Sequence, residues 1–118
     1  MGARVVLDEA FVAWLDRQGP EVRREILARA RLLAESGTGL GRPYADAVDE
    51  AGYAAMRELR LVIEGAPWRV LFAVDPEGSA VLLLAGRKKD PHWYRRHLPE
   101  AGRLYERHLA KLRRKHRA

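Results

Sequence analysis

The stretch GRKKDPHWY, residues 86–94, sets Arg87, Lys88 and Lys89 just before His92 and Tyr94. Cations gather phosphate oxygens, and a histidine or phenol can move a proton or stack on a nucleobase, so these residues in this order suit a phosphodiester. The same string would also serve as a solvated turn leading into a helix. Two arginines further upstream bear on the choice. In MRELRLVIE (56–64), Leu59, Leu61 and Ile63 alternate with Glu58, Arg60 and Val62, so Arg60 points away from the apolar face. In WRVLFAVD (68–75), Arg69 points away from Trp68, Val70, Phe72 and Val74. Lys88 shares the parity of Leu82 and Leu84, and Arg87 has the opposite parity. If Lys88 joins Arg60 and Arg69, one open sheet face carries three cations with Glu58 as its only carboxylate. Cations fixed on strands can hold a phosphate and the added charge of a pentavalent transition state without reorganising. The arginine fork also matches two phosphate oxygens. Parity alone does not decide between such a site and a charged surface.

The elements that would position these groups can be read in order. ARVVL (3–7) fits a short strand; Asp8 is a plausible N-cap, and Phe11, Trp14 and Leu15 recur at helical spacing to about Gln18. Gly19-Pro20 turns the chain into a second helix whose stripe is Val22, Ile26, Ala30 and Leu33, ended by Gly37. So short a link makes the two helices an antiparallel hairpin. Residues 37–55 read as one long loop. Three strands follow, 56–64, 68–75 and 80–86, joined by turns at Gly65-Ala66-Pro67 and Pro76-Glu77-Gly78, an antiparallel meander. The second and third are apolar on both faces, which predicts cover on one side and partial cover on the other. From His92 onward the chain is helical, with a break expected at Pro99 and a face of Leu104, His108 and Leu112 or Leu109. The order gives an α+β two-layer fold in a single domain, 1–118.

Composition narrows the class. With 118 residues, 47% hydrophobic and 32% charged, the chain fits one globular domain. No apolar run reaches bilayer length and the N-terminus lacks a signal-like core, so no membrane association and a cytoplasmic location are expected. The absence of cysteine excludes thiolate metal sites, and four histidines without paired spacing argue against any metal or other cofactor. Residues 103–118 hold seven Lys/Arg against one Glu, so the net +6 of the chain resides there and the rest is balanced. Such a pole attracts polyanions, nucleic acid before membranes, or it is a solvated helix end whose cations suit the helix dipole.

MRELRLVIEGAPWRVLFAVDPEGSAVLLLAGRKK, followed by WYRR and LPEAGRLYERHLAKL, resembles the RelE/ParE superfamily of toxin–antitoxin toxins, and within it the phage-derived, HigB-like branch. EAFVAWLD and the LGRP of the loop extend the resemblance over most of the chain. It implies a RelE-like fold: an N-terminal strand and helical hairpin packed on the meander, with a C-terminal helix. It also implies a metal-independent, ribosome-dependent mRNA endonuclease (mRNA interferase) that inhibits translation, the ribose 2′-hydroxyl attacking the adjacent phosphate to leave a cyclic phosphate. On this resemblance Arg69 contacts the scissile phosphate, Arg60 is a second basic pocket residue, and Lys88 stands six residues before Tyr94 where the family has an arginine. Where the family's type member has lysines on the first meander strand, this chain has Met56 and Glu58, so the general base stays open among Glu58, His92 and Tyr94. Arg57, Arg87 and Lys89, with Arg113, Arg114 and Lys115 of the tail, are the expected RNA contacts. The implied partners are the ribosome, mRNA and a helix-turn-helix, HigA-like antitoxin through which alone operator DNA would be bound. The alternatives are a ParE-like toxin acting on DNA gyrase without nuclease chemistry, or an inactive relative that only binds its partner.

Overall fold

The alternation of residues 56–87 builds the centre of the sheet. In the computed structural model, which describes residues 2–50 and 52–117, β3 (Met56–Ile63), β4 (Ala66–Val74) and β5 (Ala80–Arg87) form the antiparallel meander. The β3–β4 link is tighter than the composition suggests. Only Glu64 and Gly65 lie between the strands, at φ of 51° and 78°, the left-handed pair that a two-residue hairpin turn requires. Pro67 is therefore already in β4, opposite Val62.

Two short strands complete a five-stranded mixed sheet of order β1-β5-β4-β3-β2. β1 (Val5–Leu7) pairs in parallel with β5, and β2 (Ala45–Ala47) pairs antiparallel with β3. β2 corrects the expectation of an unbroken loop over 37–55. Its sequence, Ala-Asp-Ala, has no strand propensity; it is extended because it pairs with the edge of β3 and buries Ala45.

α1 (Glu9–Asp16) is capped by Asp8, whose carboxylate accepts from the Ala10 N–H, and α2 (Pro20–Ser36) opens on Pro20 and ends at Gly37 with φ of 89°. The hairpin packs Phe11, Leu15, Ile26, Ala30 and Leu33 onto Leu59, Leu61, Val70, Phe72 and Leu82. On the opposite face α3 (Trp93–Arg117) packs Trp93, Leu98, Ala101 and Leu104 onto Met56, Leu71, Ala73, Val81 and Leu83. The sheet is thus covered on both faces.

α3 does not break at Pro99. Pro99 and Arg95, whose carbonyl the proline leaves without an N–H, share an exposed side of the helix, where water can replace that bond. The buried side carries the helix through. Beyond the proline, Tyr105 donates to the Val74 carbonyl at 3.1 Å, His108 pairs with the buried Asp75 at 2.8 Å, and Arg107 reaches Asp8 at 2.7 Å. No helix among the described residues is long and apolar enough to cross a membrane.

Candidate nucleic-acid site

Arg60 and Arg69 lie directly opposite each other across the β3–β4 pair, on the α3 side of the sheet. Glu58, two residues before Arg60 on the same face, is buried and sits between them: its carboxylate is 3.5 Å from Arg60 Nε and 3.6 Å from Arg69 Nε. Arg69 is also buried, and donates to the Trp68 carbonyl at 2.9 Å.

Tyr94 closes this group from the first turn of α3. Its hydroxyl donates to Glu58 and accepts from Arg69 Nε at 3.3 Å. Burial and the bond to Glu58 push the phenol up to about 12, against the opposing pull of Arg69. Tyr94 therefore keeps its proton at neutral pH and serves as a donor holding Glu58, not as a base. Trp93, next to it in the chain, packs over Gly86, the partner of Arg69 on β5, where a Cβ would lie 3.4 Å from Trp93 Nε1.

Lys88 joins this face for a reason the parity argument did not contain. The β4–β5 register slips between Leu71 and Phe72, leaving Leu83 as an extra residue. Leu82 therefore packs with the hairpin core while Leu84 and Gly86 face α3. The Lys88 N–H continues the ladder to Pro67, and its ammonium lies 5.5 Å from the Tyr94 ring centroid, within cation–π range.

The other sequence-expected residues are elsewhere. Arg57 is on the hairpin face, over the Phe72 ring at 5.6 Å, donating to the carbonyls of Thr38 and Leu40. It fastens the 37–44 segment and is not at the site. Arg87, opposite Trp68, is likewise on the hairpin side, beside Val22 and Glu64. Lys89 and His92 are exposed in the connection before α3; the His92 backbone N–H donates to the Asp90 carboxylate, and the His92 ring makes no hydrogen bond among the described residues. Arg113, Arg114 and Lys115 are exposed near the end of α3, about 28–32 Å along the helix from Tyr94.

Three residues that the sequence reading passed over complete the site. Just before β2 begins, the β3 edge opens into a cleft of about 590 Å³ lined by Arg29, Arg42, Arg60 and Arg69 together with Pro43 and Tyr44. No carboxylate lines it. Beside it, a smaller pocket of about 200 Å³ holds Asp46, Asp49, Glu50 and Glu58, with Arg42, Arg60 and Tyr94 on its walls. Arg42 donates to Asp46 at 2.7 Å, which holds that carboxyl below the usual range. The site is thus bipolar, and Arg42, Arg60 and the Glu58–Tyr94 pair mark the boundary. Such a division lets one side hold an anion while a carboxylate waits at its edge. Among the described residues no three His, Asp or Glu side chains are grouped as metal ligands would be. LGRP pointed to Arg42 only as part of the resemblance; nothing local marks Arg29 or Tyr44.

Known proteins resemble this chain. The model of a family described as phage-derived, Gp49-like protein (DUF891) matches residues 13–106. Two Mycobacterium tuberculosis proteins are similar, those named as candidate toxins HigB2 and HigB3: 34% identity over 88% of this chain, and 33% over 90%. The chain spans about half the length of the first, 53%, and 93% of the second. Among solved structures, a mutant of the E. coli toxin RelE in the free state superposes with a TM-score of 0.59 at 14% identity, covering 87% of this chain and 97% of that one, a likeness of fold. With four-fifths of its length matched, this chain belongs to the Gp49-like family of phage-derived proteins and is related to the two HigB-named proteins.

Proposed function

We propose that this chain is the toxin of a toxin–antitoxin pair, an endoribonuclease that cuts mRNA on the ribosome and stops translation. The observation that carries the reading is the arginine cleft, with Arg60 and Arg69 opposed across two strands beside a buried carboxylate. A binding-only surface has no need of a carboxylate held between two arginines. A 2′-hydroxyl attack does: it must lose a proton, place a second negative charge on phosphorus and release a 5′-oxygen.

Each step has a group suited to it. Arg60 and Arg69 stabilise the pentavalent phosphate with the guanidinium donors not committed to Glu58, Tyr94 and Trp68. Glu58 accepts the 2′-proton as Tyr94 and the arginines hold its carboxylate in place, and Lys88 supports the departing 5′-oxygen. The 2′-proton moves to Glu58, the 2′-O–P bond forms as the P–O5′ bond breaks, Lys88 gives a proton to the departing 5′-oxygen, and the products are a cyclic phosphate and a 5′-hydroxyl. The exposed Arg113, Arg114 and Lys115 supply salt-dependent contacts to ribosomal RNA in the cytoplasm. An antitoxin partner that silences the cleft completes the pair.

The test is cleavage mapping of a defined mRNA in a purified translation system, with and without ribosomes, comparing wild type with Arg69→Ala and Arg69→Lys. Ribosome-dependent cuts that disappear in folded Arg69→Ala protein are expected. Folded wild-type protein that makes no cuts refutes the nuclease, and gyrase inhibition by the same preparation would identify the ParE-like activity instead.

A further inference from the structure

We infer that Tyr44 is a stacking platform for one nucleobase of the substrate strand, held at a fixed distance from the phosphate-binding arginines. The inference rests on the nuclease reading of the cleft. Tyr44 is 42% exposed, an uncommon state for a large aromatic ring, and the ring lines the cleft beside Arg60 and Arg69. The Arg29 guanidinium lies over the ring with its carbon 5.1 Å from the centroid. Every nucleobase has a π-face, so an exposed ring braced by a guanidinium, next to cations that hold the backbone, is the arrangement that binds a single strand.

The bracing is built through one residue. The Arg60 N–H donates to the Tyr44 carbonyl at 2.8 Å, and Arg29 donates to the Arg60 carbonyl. The peptide groups of Arg60 thus fix the ring on one side and the guanidinium that supports it on the other, while the Arg60 side chain enters the cleft. A phosphate on Arg60 and a base on Tyr44 are therefore positioned by the same segment of β3. The cleft, about 590 Å³, is within the range that holds a small ligand, so base and phosphate fit together. A surface tyrosine kept only for solubility would need neither link.

The experiment is single-turnover mRNA cleavage on programmed ribosomes by wild type, Tyr44→Phe and Tyr44→Ala, using messages intact or carrying one abasic nucleotide near the cut. Tyr44→Ala is expected to raise the toxin concentration for half-maximal cleavage by about tenfold to a hundredfold, and Tyr44→Phe by less than about threefold. One abasic position should weaken wild type by a similar factor and cost Tyr44→Ala nothing further. The ring is at the surface and its backbone carries the link to β3, so both variants should fold; circular dichroism checks this. Tyr44→Ala that cleaves like wild type, while Arg69→Ala is inactive, overturns the platform and leaves the nuclease standing. A Tyr44→Ala defect undiminished on every abasic message moves the stacked base to ribosomal RNA and overturns its assignment to the substrate. Wild type that cuts no message refutes the nuclease reading itself.

Discussion

Replacing Glu58 with Gln separates the two jobs assigned to that carboxylate, because binding and cleavage should move in opposite directions. In the wild type the carboxylate lies 3.5 Å from Arg60 Nε and 3.6 Å from Arg69 Nε and accepts from the Tyr94 hydroxyl. At an effective dielectric of about 20, each charge pair at such a distance attracts by roughly 4–5 kcal/mol, and burial of the carboxylate cancels much of that. Breaking a buried pair from one side costs about 3–5 kcal/mol. Two features soften this. The Arg60 side chain is 32% exposed and can turn to water, and Gln keeps an acceptor for Tyr94. A loss of roughly 2–4 kcal/mol follows, a fall in Tm on the order of 10 °C for a chain of this size.

The same substitution removes the one negative charge between the two arginines. A non-cleavable RNA should then bind about tenfold more tightly, since a like charge several ångströms from the phosphate costs on the order of 1 kcal/mol. Cleavage should fall by about 10²–10⁴, the usual worth of a positioned base. Thermal melting, fluorescence anisotropy and single-turnover cleavage read the three effects. Glu58→Gln that cleaves at the wild-type rate removes Glu58 as the base. Unchanged melting together with unchanged RNA affinity would mean that Glu58 does not hold the two arginines, and the bipolar site would fall with it.

Tyr94→Phe should cost about 1.5–3 kcal/mol, the worth of a hydrogen bond to a charged group, and slow cleavage by loosening Glu58; because the wild-type phenol is raised to about 12, the wild-type rate should show no alkaline limb from Tyr94 up to pH 9.5. His97 is held below its ordinary value of 6.5, by burial first and then by Arg96. The unfolded chain thus takes up this proton before the native one, so the contribution is present above pH 6.5 and is lost as pH falls below it; His97→Gln should flatten the stability curve there, read by urea melts at stepped pH. Gly102→Ala should stabilise by about 0.5–1 kcal/mol, because Gly102 is inside α3 and a Cβ would meet the Tyr53 ring at an ordinary 3.5 Å; a fall in Tm would refute that packing. Changing Arg113, Arg114 and Lys115 to Gln should reduce the slope of log affinity against log salt for ribosome binding by about 2–3 and leave the cut positions unchanged, as the tail lies far from Tyr94.

Most of the architecture was legible because it is written locally. Asp8 before an apolar period, Pro20 after Gly19, and alternation over 56–63 each name an element and its start. The misreadings were decided by tertiary contacts. β2 exists because β3 offers an unpaired edge, and α3 runs through Pro99 because its opposite side is buried. The cleft follows the same rule. Arg60 and Arg69 are legible from strand parity, but Arg29 reads as one more charge on an amphipathic helix and Tyr44 as a loop residue. They become a pair only through the Arg60 peptide, 31 positions from Arg29 in the chain.

Lys88 shows how a correct grouping can rest on an incomplete reason. AVLLLAG is apolar at every position but its last, so alternation gives no hint of an irregularity. Strict parity puts Leu82, Leu84 and Lys88 on one face. Leu82, however, is in the core beneath the hairpin, together with Phe72. Without the slip at Leu83, Lys88 would lie on that side as well, across the sheet from Arg69 and Tyr94. The extra residue turns the end of β5 over, which points Gly86 at Trp93 and Lys88 at Tyr94 in one step. Two parts of the site, the cation and the glycine that faces Trp93, therefore depend on a backbone irregularity hidden in a run of leucines. Any change that restores regular pairing there should carry Lys88 to the hairpin side, away from Tyr94, without altering any candidate residue.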